Sequence, residues 1–137
     1  MFVDKTGQDI EFCKEVFVND NLNATICGLL NGQGGKILFG INENWIIKGV
    51  KLNWKELDLF QIDLDNLLWK YIPQIYPENI QLNIMDTFHD NTRKNIIKDL
   101  YILELNVYQS NYMGIHLGKN FMAYVRENGQ NHCITHQ

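Results

Sequence analysis

Apolar and polar positions alternate over DIEFCKEVFV, Asp9 to Val18, where Ile10 and Phe12 oppose Glu11 and Cys13. That period of two, with aromatic and β-branched residues, predicts a first strand. From Asp20 or Asn21, either of which can cap a helix, Leu22, Ile26, Leu29 and Leu30 recur at helical spacing until Gly32, Gly34 and Gly35 stop it. The segment KILFGIN then packs four apolar residues into a short run, as a central strand buried on both faces does. Asn42, Glu43 and Asn44 suit a turn, so WIIKGV is expected to return as the second arm of a hairpin.

A second amphipathic helix is predicted between Trp54 and Ile72, with Leu57, Phe60, Leu64, Leu67, Leu68 and Tyr71 on one side and Glu56, Asp58, Asp63 and Asp65 on the other. Pro73 and Pro77 close it. NIQLNIMDTF and IIKDLYILELNVY both alternate, and the polar HDNTRKN between them predicts an antiparallel pair. A turn around Gln109 to Tyr112, a short strand through Ile115 and a last strand FMAYVRE follow, and the tail NGQNHCITHQ shows no period. The fold class expected is α+β: one domain over residues 1–137, with an antiparallel sheet and two main helices.

Composition narrows the class. The chain has 137 residues, 45% of them hydrophobic and 20% charged, with two prolines, which excludes a disordered protein. No apolar run is long enough for a membrane span, and MFVDKTGQDIEF lacks the pattern of a signal peptide, so a cytoplasmic location is expected. Three widely spaced cysteines, Cys13, Cys27 and Cys133, fit reduced thiols rather than a disulfide framework. The formal net charge of -4 means that nucleic acid would have to bind at a local basic patch or beside a basic partner.

Several residue groups carry candidate chemistry. Asn31-Gly32-Gln33-Gly34-Gly35 follows a helix and precedes a strand, the reverse of a phosphate-cradling loop, and reads as a helix stop. Lys14, Lys36, Arg93, Lys94, Lys98 and Arg126 are candidates for a phosphate-contacting surface, against the plainer reading of solvated charge. His132, Cys133 and His136 sit too close together for a tetrahedral set, so no zinc is expected. His89 and His116 read as surface residues without a triad partner.

The order from residue 9 to 49 says more than any single piece. DIEFCKE, then ICGLLNGQGGKILFGINEN, then IIKGV, with Tyr124-Val125-Arg126 near the end, resembles the Schlafen core, or divergent AlbA-like (AlbA_2), family over about residues 6–128. The resemblance implies an RNA-cleaving assembly: family nucleases cut tRNA and other structured RNA with a carboxylate cluster and Mg²⁺ or Mn²⁺, and pair two lobes. Some Schlafen-like subunits act on piRNA precursors. Glu11 and Glu43 match two family acids and are the catalytic and metal-ligand candidates that the resemblance implies. Thr6 stands where a third acid belongs, with Asp4 and Asp9 nearby, and Cys13 replaces the strand lysine, with Lys14 one place later.

The expected function is therefore a Schlafen-like subunit of a metal-dependent endoribonuclease, with RNA and a second Schlafen-like chain or a second copy of itself as partners. The alternative is a non-catalytic scaffold or nucleic-acid-binding module serving an active subunit. A third reading is an interaction domain anchored by Trp45 and Trp54.

Overall fold

A computed structural model of the chain describes residues 10–88, 95–110 and 114–134. Strand β1 (Ile10–Cys13) leads into helix α1 (Asp20–Asn31) and strand β2 (Gly35–Phe39). Asn19 caps α1, its side chain accepting from the Leu22 N–H at 2.7 Å. The cap is therefore one residue earlier than the sequence pattern suggests. β1 is also shorter than predicted, and it pairs with β2 in parallel, Glu11 opposite Ile37 and Cys13 opposite Phe39. Parallel neighbours need a crossover, and α1 supplies it.

The spine of the sheet is β5 (Ile96–Val107). Strand β4 (Ile80–Phe88) runs antiparallel along one edge of it, Leu82 opposite Leu105 and Met85 opposite Ile102, as the sequence predicts. Along its other edge two strands follow one another. β2 lies opposite residues 103–107, and β3 (Val50–Lys51) opposite Tyr101 and Leu100. The expected Asn42–Asn44 hairpin thus shrinks to a single bridge, Ile41 to Ile47. Asn42 Oδ1 accepts from the N–H groups of Asn44 and Ile46, and Trp45 takes a positive φ, which closes a tight loop. The Gly40 carbonyl then accepts from both Lys48 and Gly49, and the chain swings to β5 rather than continuing along β2.

Helix α2 (Trp54–Leu68) begins with a capping box, Asn53 Oδ1 accepting from Glu56 N while the Glu56 carboxylate accepts from Asn53 N. Its Phe60, Leu64 and Leu67 join Ile26, Leu29 and Leu30 of α1 against Ile37, Phe39, Leu103, Leu105 and Val107 of the sheet. Phe39 and Phe60 meet edge to face at 5.7 Å. On the opposite face of the sheet Glu104 accepts hydrogen bonds from Lys36, Asn83 and Asn106.

The C-terminal segment departs most from the sequence reading. β6 (Ala123–Glu127) falls within the predicted last strand, but β7 (Gln130–Ile134) forms from the tail that shows no period and pairs with β6 as a hairpin, and the segment around Ile115 makes one bridge, Leu117 to Ile72, rather than a strand. The turn is Asn128-Gly129, both at positive φ, the dipeptide most favoured in tight hairpins. The hairpin covers the side of α1 that faces away from the sheet, so every residue from Leu22 to Leu30 is buried and the helix is not one-sided. Gly28 and Gly32, one helical turn apart, let β6 come close. A Cβ on Gly28 would lie 3.3 Å from Arg126 N and one on Gly32 3.4 Å from Arg126 O.

Asn31 fastens this layer. Its side-chain amide donates to the carbonyls of His116 and Tyr124, both at 3.0 Å, and its oxygen accepts from His116 N–H at 2.7 Å. The Asn31→Ala variant strands these main-chain groups and is expected to lose about 2–4 kcal/mol, read from the urea unfolding midpoint.

Candidate functional site

Four elements place the polar centre of the molecule. Strand alternation turns Glu11 of β1 to the α1 side of the sheet, and the approach of β6 at Gly28 brings Arg126 to meet it. Arg126 Nη2 donates to Glu11 Oε1 at 2.8 Å, and Nη1 donates to Asn131 Oδ1 of β7 at 2.9 Å. The Asn131 amide donates in turn to Thr25 Oγ1 of α1 at 2.9 Å, and that hydroxyl donates to the Asn21 carbonyl. Arg126 is 3% exposed, whereas the Glu11 side chain keeps 29% of its surface. One chain of hydrogen bonds therefore ties β1, β6, β7 and α1 around a buried charge.

A cavity of about 520 Å³ opens at the carboxyl ends of the parallel strands β1 and β2, the end of parallel strands where open α/β sheets bind ligands. Its floor is the backbone of Gly40 and Gly49, and its rim carries Lys14, Lys48, Glu43, Asn42 and Asn44. Phe12, also in its wall, meets Trp45 edge to face at 5.2 Å. Cys13 lies between this cavity and the core. Burial first, and then the Glu11 carboxylate, push its thiol up to about 11, with Arg126 opposing.

The candidate residues thus divide. Glu43 and Lys14 meet at the cavity, while Glu11 does not line it and is committed to Arg126. The expectation of Arg126 on a phosphate-contacting surface is not met, because its guanidinium lies in the interior. Lys36 lies elsewhere, bridging to Glu104 at 3.0 Å on the outer sheet face. Burial pulls the Glu104 carboxyl up, but the bonds from Asn106, Lys36 and Asn83 outweigh it and hold it below its ordinary value. Lys98 is exposed on β5, away from the cavity lining. Arg93 and Lys94, like Asp4, Thr6, Asp9, His89 and His136, lie outside the described residues.

His116 is not a surface residue. It is buried, Nδ1 lies 2.7 Å from the Pro73 carbonyl, and Nε2 lies 2.7 Å from Ser110 Oγ. His132 and Cys133 are exposed on β7. Among the described residues no three His, Cys, Asp or Glu side chains converge as a metal site would require. With one oxygen of Glu11 held by a cation and with Lys14 and Lys48 lining the same cavity as Glu43, the described donors do not fit a divalent ion. Lys48, Asn131 and Thr25 are the site residues that sequence reasoning missed. Only Asn131 had a signal, its place just after the Asn128-Gly129 turn.

The family model described as Schlafen, AlbA_2 matches residues 7–135. The chain belongs to the Schlafen AlbA_2 family. Its fold is similar to that of the DIP2311 protein from Corynebacterium diphtheriae, with a TM-score of 0.53 at 12% identity over 93% of this chain. The match spans 22% of that longer chain, so the likeness is one of fold. No helix among the described residues is long and apolar enough to cross a membrane.

Two outcomes follow from the buried pair. Arg126→Met leaves Glu11 and Asn131 without the guanidinium and is expected to cost about 2–3 kcal/mol by urea unfolding. Arg126→Lys will recover only part of this, because an ammonium lacks the fork that reaches both. The raised Cys13 thiol is about 0.1% ionised at pH 8, so iodoacetamide should label exposed Cys133 there and Cys13 only above about pH 10, as peptide mapping will show.

Proposed function

We propose that the chain is a non-catalytic, RNA-binding Schlafen lobe that serves a second, catalytic Schlafen-like subunit. The observation that carries this reading is the withdrawal of Glu11 from the cavity into its ion pair with Arg126. A carboxylate with one oxygen engaged by a buried guanidinium is a poor cation ligand, because the arginine occupies that oxygen and its positive charge opposes a second cation beside it. What remains at the cavity suits binding. Lys14 and Lys48 supply charge to phosphate, Asn42 and Asn44 supply amides, and Phe12 with Trp45 supplies aromatic surface near the rim. The acidic balance of the whole chain explains why such a site would work beside a partner that brings basic surface of its own.

One observation favours a second reading, in which the chain is a working part of a metal-dependent endoribonuclease. Glu43 projects from the loop at the same cavity as the two lysines, so a partner contributing further acids would complete a carboxylate site there with Mg²⁺ or Mn²⁺. In that arrangement Lys14 and Lys48 hold the phosphate, and Asn42, which organises the loop through Asn44 and Ile46, fixes the position of Glu43.

The test measures binding and cutting separately. The isolated chain should bind single-stranded or tRNA-like RNA without cleaving it in Mn²⁺. The Lys14→Gln/Lys48→Gln variant should lose about tenfold in affinity at low salt and reduce the slope of log K against log salt by about 1.4. Unchanged binding in that variant overturns the RNA reading. Loss of cleavage in a reconstituted assembly on Glu43→Gln, with assembly intact, selects the endoribonuclease reading instead.

A further inference from the structure

Helix α2 has a second apolar face that the core does not use. Phe60, Leu64 and Leu67 face the sheet, and the 3.6-residue period sets Ile62 and Trp69 on the opposite side with Leu59 beside them on the lateral surface. Leu59, Ile62 and Trp69 are 57%, 48% and 70% exposed, and nothing among the described residues covers them. Scattered exposed leucines need no explanation, but Leu59 and Ile62 are helical neighbours and Trp69, at the C-cap, stands on the same side two turns on, with exposed Asn66 between.

The charges beside this face say what kind of surface it fits. Asp58 and Asp65 lie along one flank, which is the acidic one; Asp63 lies along the other, in a recess that Lys70 and Lys119 also line, and α2 itself carries four acids against one lysine. That lysine, Lys55, sits over the Trp54 ring at 5.7 Å. Nucleic acid is repelled by such a face. A second copy of the chain in a symmetric contact would set these aspartates against their own counterparts, since a twofold axis pairs each patch with itself. The field favours a partner whose apolar residues are edged with lysine and arginine.

The C-terminal end of this face adds a receptor for one side chain. Trp69 forms one wall of a cleft of about 290 Å³ whose other walls include Tyr76, Ile75 and Pro77, with Asp65 in its lining. Aromatic rings with one carboxylate accept a long cationic side chain, whose methylenes pack on the rings while its charge meets the acid.

We propose that the outer face of α2 docks an amphipathic helical segment of a different protein, apolar along one face and edged by lysine and arginine, with one basic side chain seated in the Trp69–Tyr76 cleft. The surface is separate from the RNA cavity, and the proposal does not rest on the RNA reading. An α-helix laid along an α-helix in this way is read by anchors that recur on one face, here Leu59, Ile62 three residues on and Trp69 two further turns beyond.

The probe is a synthetic helical peptide with leucines at helical spacing and flanking lysines and arginines, alongside a twin in which glutamates replace the basic residues. Fluorescence anisotropy against the full chain should show binding of the basic peptide alone. Affinity should fall about tenfold with Ile62→Ser or Trp69→Ser, and about threefold with Asp58→Asn/Asp65→Asn. All these positions are exposed, so the variants should keep the wild-type unfolding midpoint. Equal binding of the glutamate twin, or affinity for the basic peptide that Ile62→Ser leaves unchanged, overturns the proposal. So does sedimentation equilibrium showing a dimer of the chain that Ile62→Ser abolishes, because the face would then belong to a second copy.

Discussion

The enclosure of α1 is the constraint that organises this molecule. A helix buried from Leu22 to Leu30 must find apolar or hydrogen-bonded neighbours on all sides, and the sheet supplies only one of them. The β6–β7 hairpin supplies the other. Because it lies directly on Gly28 and Gly32, the polar groups it brings are driven inside as well. Arg126 is there because β6 is there, and Glu11 and Asn131 are arranged to bind it, with Thr25 holding Asn131 in place. The same enclosure explains why buried Thr25 and Asn23 are tolerated: Thr25 bonds to Asn21 and Asn131, and Asn23 accepts from the Tyr71 hydroxyl.

Much of this was legible in the sequence, and the rest was hidden for physical reasons. The two helices and the β4–β5 pair follow from strong periodicity over long segments, where one residue more or less does not change the pattern. The parallel pairing of β1 and β2 is not carried by period at all, since both orientations alternate in the same way. It follows from the crossover through α1. β7 was hidden because its side chains Gln130, His132 and Cys133 are exposed, so burial imposes no alternation on them. The Asn128-Gly129 turn was the surviving signal. β3, at two residues, is too short to have a period.

For the candidate site, the sequence pattern with its family resemblance located the right strands but not the partners of their side chains. Glu11 lies in β1 and Glu43 just past the end of the neighbouring strand β2, yet the first is claimed by a residue 115 positions away. Lys36 is likewise diverted to Glu104 by the antiparallel register of β2 on β5. Long-range pairs of this kind depend on which charges the folded chain brings together, and no local pattern encodes that. Tertiary contact has sorted the basic residues into an interior rivet, an outer-face bridge and a cavity rim.

The cavity floor has a different origin from its rim. Gly40 and Gly49 sit where β5 exchanges one edge partner for another, and each is held in a backbone conformation that side chains resist, with Tyr101 O 3.0 Å from a Cβ at the first and Leu100 within 2.6 Å of one at the second. The floor is therefore main chain at a seam in the sheet, fixed by the fold. Lys14, Glu43 and Lys48 at the rim are exposed and pack against little. Inheritance can exchange them one at a time without disturbing the layers beneath, so the fold keeps the shape of the recess while the chemistry of its rim stays free to diverge.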